Sequence, residues 1–380
     1  MKIAFITLGF NPLRLSGLDL SGERLVQGLL KANIQVTVFA GRKSRIVEAY
    51  HHPNLEIIRI PLGRSDWIGF GYQAAKRLSS SKKFDIVHFW DVHFGWAYHG
   101  DFIGSIQHSF HQRIESLGQP VDQISIRWIS RYIYYHLALK LAETPTIQRA
   151  KLLLAGSSTT KDEFQRLYRI DPGRIFVTPH GVDTDFFRYT QNTNSFRQRF
   201  GLKPEEPVIL FASFITPRKG LEYLARAIPM IQPKPKVIIA GTWRDVQYRN
   251  NVWKSLEPVQ ESIIETGFVV DEDMPNLFSM ADVYVSPSLL EGFGLTVAEA
   301  LACEIPVVAV DAGAVAEVMG PGGILVEPRN PVQLAEVISE LLQNPSLRQE
   351  MGKRGRAHIQ TNFSLQSMVD STISAYESIQ

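Results

Sequence analysis

Short apolar runs alternate with longer amphipathic stretches along almost all of the 380 residues. Runs rich in β-branched and aromatic residues predict strands near 2–8, 34–40, 56–60, 84–89, 103–107, 152–156 and 175–178. Between them, apolar spacings of three and four predict helices near 19–32, 125–149 and 158–168. The polar stretch from Tyr189 to Ser195 interrupts the pattern. A second series opens at Pro207–Ala212, with further strands near 235–240, 263–266, 282–286, 306–310 and 324–326. Its helices are predicted near 219–231, 273–280, 295–303, 314–319, 331–343 and 346–360. Strands that alternate with helices in this way build βαβ units and parallel sheets. The chain is also too long for one core. The expected fold is therefore α/β, with two doubly wound, Rossmann-like domains joined near 185–205 and facing a central cleft. Ligands of such sheets bind beyond the carboxyl ends of the strands, which makes that cleft the default site.

Composition narrows the class without naming it. Apolar residues make up 44% and charged residues 21%, as in ordinary globular proteins. No apolar run approaches the roughly 18–20 residues of a membrane span. Met1 to Leu8 is too short for a signal segment and reads better as a first strand. The single cysteine, Cys303, excludes an intramolecular disulfide and follows an apolar helix face, which suits a buried core position. No Cys/His cluster has zinc spacing, so no metal is expected. A cytoplasmic protein is the resulting expectation.

Charge adds one feature. Residues 1–180 carry 23 Lys and Arg against 14 Asp and Glu, whereas residues 181–380 carry 17 against 24. Either the first half meets an anionic partner or its surface is polarised without function. Within it, Arg127 to Lys140 is basic, aromatic and helical in spacing. Such a helix either lies at a membrane interface, here the inner face, or buries its aromatics in the core. No nucleic-acid recognition motif accompanies the charge, so no nucleic-acid partner is expected. The absence of Gly-x-Gly-x-x-Gly after the first strand argues against a dehydrogenase.

The densest chemistry runs from Ser286 to Ala309. A buried strand ends at Ser286, Gly292-Phe293-Gly294 forms a tight turn, and Leu295 to Cys303 continues as a helix. A turn that opens a helix points amide N–H groups and the positive end of the dipole at an anion. Glu291 and Glu299 bracket that position, eight residues apart. A continuous helix would separate them by about 12 Å, beyond the roughly 5–9.5 Å of a glycosidase pair. They are placed to hold different parts of one elongated ligand.

The Glu291-x7-Glu299 string, with Ser-Pro-Ser before it and Glu-Ala-Leu-Ala running on from Glu299, resembles the signature of retaining glycosyltransferases of family 4, which have the GT-B fold. The resemblance implies an N-terminal acceptor domain over 1–184 and a nucleotide-sugar domain over 185–363. It also implies a last helix over 364–380 that returns to the first domain. By it, Glu299 holds the ribose, Glu291 meets the transferred sugar, and Phe293, Gly294, Leu295 and Thr296 supply amides to sugar and phosphate. Lys219 matches a diphosphate-binding lysine, but Phe214 stands where the family has an arginine. Arg218 is the nearest replacement, and weaker donor affinity or a different donor is the alternative. His108, after the strand near 103–107, matches an active-site histidine, while His88, His93, His99 and His111 lie nearby. Gly17 occupies the second position of a Gly-Gly pair that approaches the phosphate. Gly241 and Phe268 fall in the loops that face the base and ribose. His180 stands where the family has asparagine.

The expectation is metal-independent retaining transfer of a hexose-type sugar from a nucleotide sugar to a hydroxyl acceptor, with no cofactor. A non-catalytic nucleotide-sugar binder and a nucleotide-sugar hydrolase or epimerase are the alternatives.

Overall fold

A computed structural model describes residues 1–10, 17–42, 51–61, 66–81, 83–116, 126–191 and 193–379. The chain divides into two compact units, Met1–Gly181 with Leu365–Gln380, and Val182–Ser364. The first unit holds β1 (Lys2–Thr7), β2 (Gln35–Arg42), β3 (Leu55–Pro61), β4 (Ile86–Phe89), β5 (Ile103–Ile106), β6 (Leu152–Ala155) and β7 (Ile175–Val177). They form one parallel sheet in the order β3-β2-β1-β4-β5-β6-β7. The second holds β8 (Val208–Ala212), β9 (Lys236–Ala240), β10 (Ile263–Gly267), β11 (Val283–Ser286), β12 (Val307–Val310) and β13 (Gly323–Val326). Their parallel order is β10-β9-β8-β11-β12-β13.

Both sheets are covered on both faces, which is why their strands read as continuous apolar runs. In the first unit, alternate residues feed opposite clusters. Ile3 and Phe5 point to one side, Ala4 and Ile6 to the other. The first side is closed by Leu25, Val26, Leu29 and Leu30 of helix Gly17–Lys31 and by Met368, Val369, Ala375 and Tyr376 of helix Leu365–Glu377. The two helices touch closely, and a Cβ at Gly28 would stand 2.1 Å from Val369 Cγ2. His88, in the middle of β4, is fully buried between them and the sheet. Its Nδ1 meets the Tyr376 hydroxyl at 2.7 Å and its Nε2 meets Ser105 Oγ at 2.8 Å. The residues that build the first core thus include the last helix of the chain.

Thirteen strands were predicted, and each appears within two residues of its expected start. Among the described residues four α-helices were not anticipated: Asp66–Ser79, Val246–Leu256, and the shorter Phe110–Ser116 and Asn194–Arg199. Gly69 and Gly71 mask the first, yet Gly71 is needed there, because a Cβ would stand 2.8 Å from the Phe94 carbonyl oxygen and the Trp96 ring. The second buries only Val252 and Leu256 and so has almost no apolar stripe. The helix expected over 125–149 is not uniform. Ile126–Ala138 passes through a π turn at Leu139–Glu143 before Thr144–Arg149. Pro145 has no N–H to give to the preceding turn, and the wider turn accommodates that loss.

The aromatics of this helix divide between the two alternatives, since Tyr135 packs on the core, stacked on Phe110 with centroids 5.8 Å apart. Tyr132, Ile133, Tyr134 and Leu137 are exposed, as is Leu141 just beyond. Cys303 is fully buried, and burial raises its thiol pKa. Asn33 and Glu304 both adopt left-handed φ, 58° and 62°. Among the described residues no helix is long and apolar enough to cross a membrane.

Candidate functional site

In the second sheet the strand order reverses direction between β8 and β11. Loops at such a switch point diverge and leave a crevice beyond the carboxyl ends of the strands. The loop after β8 carries Phe214, Arg218 and Lys219, and the loop after β11 carries Glu291, Phe293 and Gly294. Main-chain contacts hold the two loops together. Leu289 N donates to the Arg218 carbonyl at 2.8 Å. Gly220, at φ 68°, lies so near Pro287 that a Cβ would stand 2.0 Å from its carbonyl oxygen. On the other side, a Cβ at Gly313 would stand 1.9 Å from the Glu291 carbonyl oxygen. Glycine at these two positions is what lets three loops converge.

That convergence brings Lys219 Nζ into an ion pair with Glu291, 72 residues away, and both side chains are about nine-tenths buried. Burial alone would raise the Glu291 pKa. Lys219, with Arg218 and a hydrogen bond from Ser288, outweighs it, and the carboxyl lies below the usual carboxylate range. Arg218 is exposed, with Nη1 donating to the Leu290 carbonyl at 3.0 Å. It thus lies beside the same glutamate as Lys219.

Helix Leu295–Ala302 begins beside this pair. Gly294, at φ 91°, occupies its N-cap, with no side-chain cap. The first-turn amides are therefore left for another acceptor. Phe293 turns inward, 5% exposed, and packs edge-on against Phe363 with centroids 5.4 Å apart. Only its backbone is offered to a ligand. Leu295 is partly buried on the same core. Thr296 Oγ1 shares a 2.8 Å bond with the Tyr284 hydroxyl, which also donates to the Ala212 carbonyl at the end of β8, 3.1 Å away. Tyr284 thereby ties the helix start to the lysine-bearing loop. Glu299 sits inside the helix, 6% exposed, and with Glu291 acts electrostatically on Tyr284.

Gly241 ends β9 at φ 133°, and a Cβ there would stand 1.8 Å from the Ser213 carbonyl oxygen. It is fixed by the close approach of two loops, whatever else it does. Phe268, just past β10, is 63% exposed, unusual for a phenylalanine. In the first unit, His108 follows β5 at the carboxyl edge and is half-buried. Gly17 opens the first helix and is exposed, while the preceding loop, 11–16, lies outside the described residues. His180 is buried, with Nδ1 2.7 Å from Ser21 Oγ and Nε2 2.7 Å from Gln107 Oε1, and so stitches three segments of the first unit together.

Sequence reasoning missed Ser288, Tyr284 and the clamping glycines Gly220 and Gly313. Their roles depend on contacts between distant loops. Only the two glycines carry a local signal, each lying next to a site loop or strand end.

Two family models match this chain. "Glycosyltransferase Family 4" matches residues 17–186 and "Glycosyl transferases group 1" matches residues 192–358. The chain belongs to this glycosyltransferase family. An uncharacterized glycosyltransferase of Methanocaldococcus jannaschii is 25% identical, over 99% of this chain and 98% of its own. A GDP-mannose-dependent monoacylated phosphatidylinositol monomannoside mannosyltransferase of Corynebacterium glutamicum is 30% identical over 50% of this chain, and the match spans only 52% of that relative. Among solved structures, sucrose-phosphate synthase from Thermosynechococcus elongatus superposes with a TM-score of 0.82 at 20% identity, covering 100% of this chain and 98% of that one. The shared architecture is GT-B, two Rossmann-like domains with parallel sheets.

Proposed function

We propose that this glycosyltransferase moves a hexose-type sugar from a nucleoside diphosphate donor to a hydroxyl acceptor, with retention at the anomeric carbon and without a metal. The observation that carries the reading is the Lys219–Glu291 pair held beside the uncapped start of helix Leu295–Ala302. A cation and free amides there suit a diphosphate, and a buried carboxylate one residue before the turn suits a sugar hydroxyl. In the reaction, the bond from the anomeric carbon to the diphosphate oxygen breaks and a bond to the acceptor oxygen forms on the same face. The acceptor's proton passes to the leaving diphosphate. Lys219 and the helix-start amides of Gly294, Leu295 and Thr296 stabilise the charge that develops there. Glu299 accepts from the ribose hydroxyls, Gly241 and Phe268 belong to the loops that serve base and ribose, and the family resemblance assigns Gly17 to the phosphate and His108 to the transferred sugar. The acceptor's identity is open, whether glycan, lipid or small molecule.

Thermal shift with UDP, GDP, ADP and their hexose conjugates tests the donor site. GDP-mannose is the first conjugate to try, given the Corynebacterium relative. A ligand at about 100 times its Kd stabilises by about 2.7 kcal/mol. One base series should stabilise the wild type and fail on Glu299→Ala. No shift with any of them sinks the reading.

The exposed helix in the first unit supports peripheral contact with an anionic membrane surface, on the cytoplasmic side. Ile129, Ile133, Leu137 and Leu141 repeat every four residues, 41%, 51%, 53% and 74% exposed, and exposed Lys140 adjoins them. An apolar stripe left to solvent, in the half of the chain with excess positive charge, matches an interfacial helix. Ile133→Asp with Leu137→Asp should weaken sedimentation with phosphatidylglycerol vesicles by about tenfold or more. Unchanged binding, or equal binding to zwitterionic vesicles, counts against it.

A further inference from the structure

We infer that Arg244 supplies the guanidinium missing at Phe214, so that the donor's diphosphate is held from the loop after β9 as well as from the loop after β8. The inference rests on the donor reading above and names one more residue of that site.

Phe214 lies two residues beyond β8, at the start of the loop that ends in Lys219. Its ring is covered by the guanidinium of Arg244, whose Cζ lies 4.5 Å from the ring centroid. The backbone fixes this meeting. Ile215 N donates to the Thr242 carbonyl at 2.9 Å, and Arg244 N donates to the Ile215 carbonyl at 3.1 Å. Ile215 and Trp243 form an isolated parallel bridge that prolongs the β8–β9 pairing. Arg244 is therefore carried to the carboxyl end of β8 by main-chain bonds, with its guanidinium over the aromatic ring.

The Phe214 ring is the one partner of this guanidinium among the described residues. Among the described residues no carboxylate or carbonyl accepts from it, and the neighbouring acids are engaged elsewhere. Asp245 accepts from Tyr248 N at 3.0 Å, Glu265 from Trp243 and Arg249, and Glu222 from the Tyr248 hydroxyl. Stacking uses the face of a guanidinium and leaves all of its N–H donors directed outward in one plane. That is the geometry that grips a phosphate by two parallel bonds. A phenylalanine that removes one cation thus also builds the platform that orients another. A lysine at 244 would lack the plane for the stack.

The test compares affinity for UDP, GDP and ADP with affinity for the matching monophosphates, by titration calorimetry. For the base that binds, Arg244→Ala should lower the diphosphate-to-monophosphate preference by about 10- to 100-fold, with melting temperature unchanged because the residue is exposed. Arg244→Lys should recover little of it. Phe214→Arg added to Arg244→Ala should restore most of the preference, because the guanidinium returns from the other loop. A wild type that prefers the diphosphate, with Arg244→Ala preferring it equally, overturns this inference alone. Equal losses for diphosphate and monophosphate in that variant overturn it too. A wild type that binds none of the nucleotides overturns the donor reading and this inference with it.

Discussion

Lys219→Ala and Glu291→Gln should each lower kcat by about 10²–10³-fold, the usual loss when one preorganised charge-stabilising group is removed. The two residues form one unit, so the double variant should be little worse than either single one. Glu291 is buried, and its lowered pKa depends on Lys219, Arg218 and Ser288 outweighing burial. Without Lys219 the carboxylate keeps the burial and loses its main partner. Its pKa then rises, and the sugar faces a group that is no longer reliably charged. Some stability is lost as well, because a buried charge is left unpaired. Glu291→Gln keeps the shape and removes the charge, so a correctly folded Glu291→Gln with low kcat separates chemistry from folding. Near-wild-type kcat in a folded Glu291→Gln would remove Glu291 from the reaction.

The first unit should be most stable near pH 6.5 and should lose stability faster towards acid than towards alkali. Burial lowers the pKa of His88 to about 3 and that of His180 to about 4. An unfolded histidine titrates near 6.5. For a depressed histidine, the contribution to stability is complete above the unfolded value and is lost as pH falls towards the folded one. Two protons are thus taken up on unfolding between about pH 6.5 and 4.5, at about 1.4 kcal/mol per proton per pH unit.

His93 has the opposite sign. Burial opposes its charge, but Asp91 and Glu143 outweigh burial and raise its pKa to about 9. Its contribution is complete below 6.5 and is lost as pH rises through about 9. One proton is released on unfolding there, so the alkaline limb has about half the acid slope. Melting temperature followed from pH 4.5 to 9 reads both limbs. His180→Asn, the residue that the family resemblance places there, should halve the acid slope. A flat profile between pH 4.5 and 6.5 would show that these rings are not held neutral.

How much of this was legible in the chain can be argued from single elements. The strands were plain because parallel strands covered on both faces must be apolar along their whole length, as Val208–Ala212 is. Helix Leu295–Ala302 and the Gly294 turn were plain because the turn needs a positive φ and the helix an apolar face. Asp66–Ser79 and Val246–Leu256, both unanticipated, have weak local signals. Gly71 looks like a breaker, and only the approach of Phe94 and Trp96 explains it. The exposed stripe on Ile126–Ala138 could not be read at all. Apolar spacing reports an amphipathic helix, not whether anything covers it.

The sequence alone determined the fold class, the two series of strands and the residues that flank the turn at Gly294, because periodicity and turn chemistry are local. Only the tertiary structure decided which of them meet. It paired Lys219 with Glu291 across 72 residues, laid Arg244 on Phe214, and joined His88 to Tyr376 across 288 residues. Each of these contacts is set by the order of strands in a sheet and by glycines that let loops approach. Spacing along the chain carries no record of either.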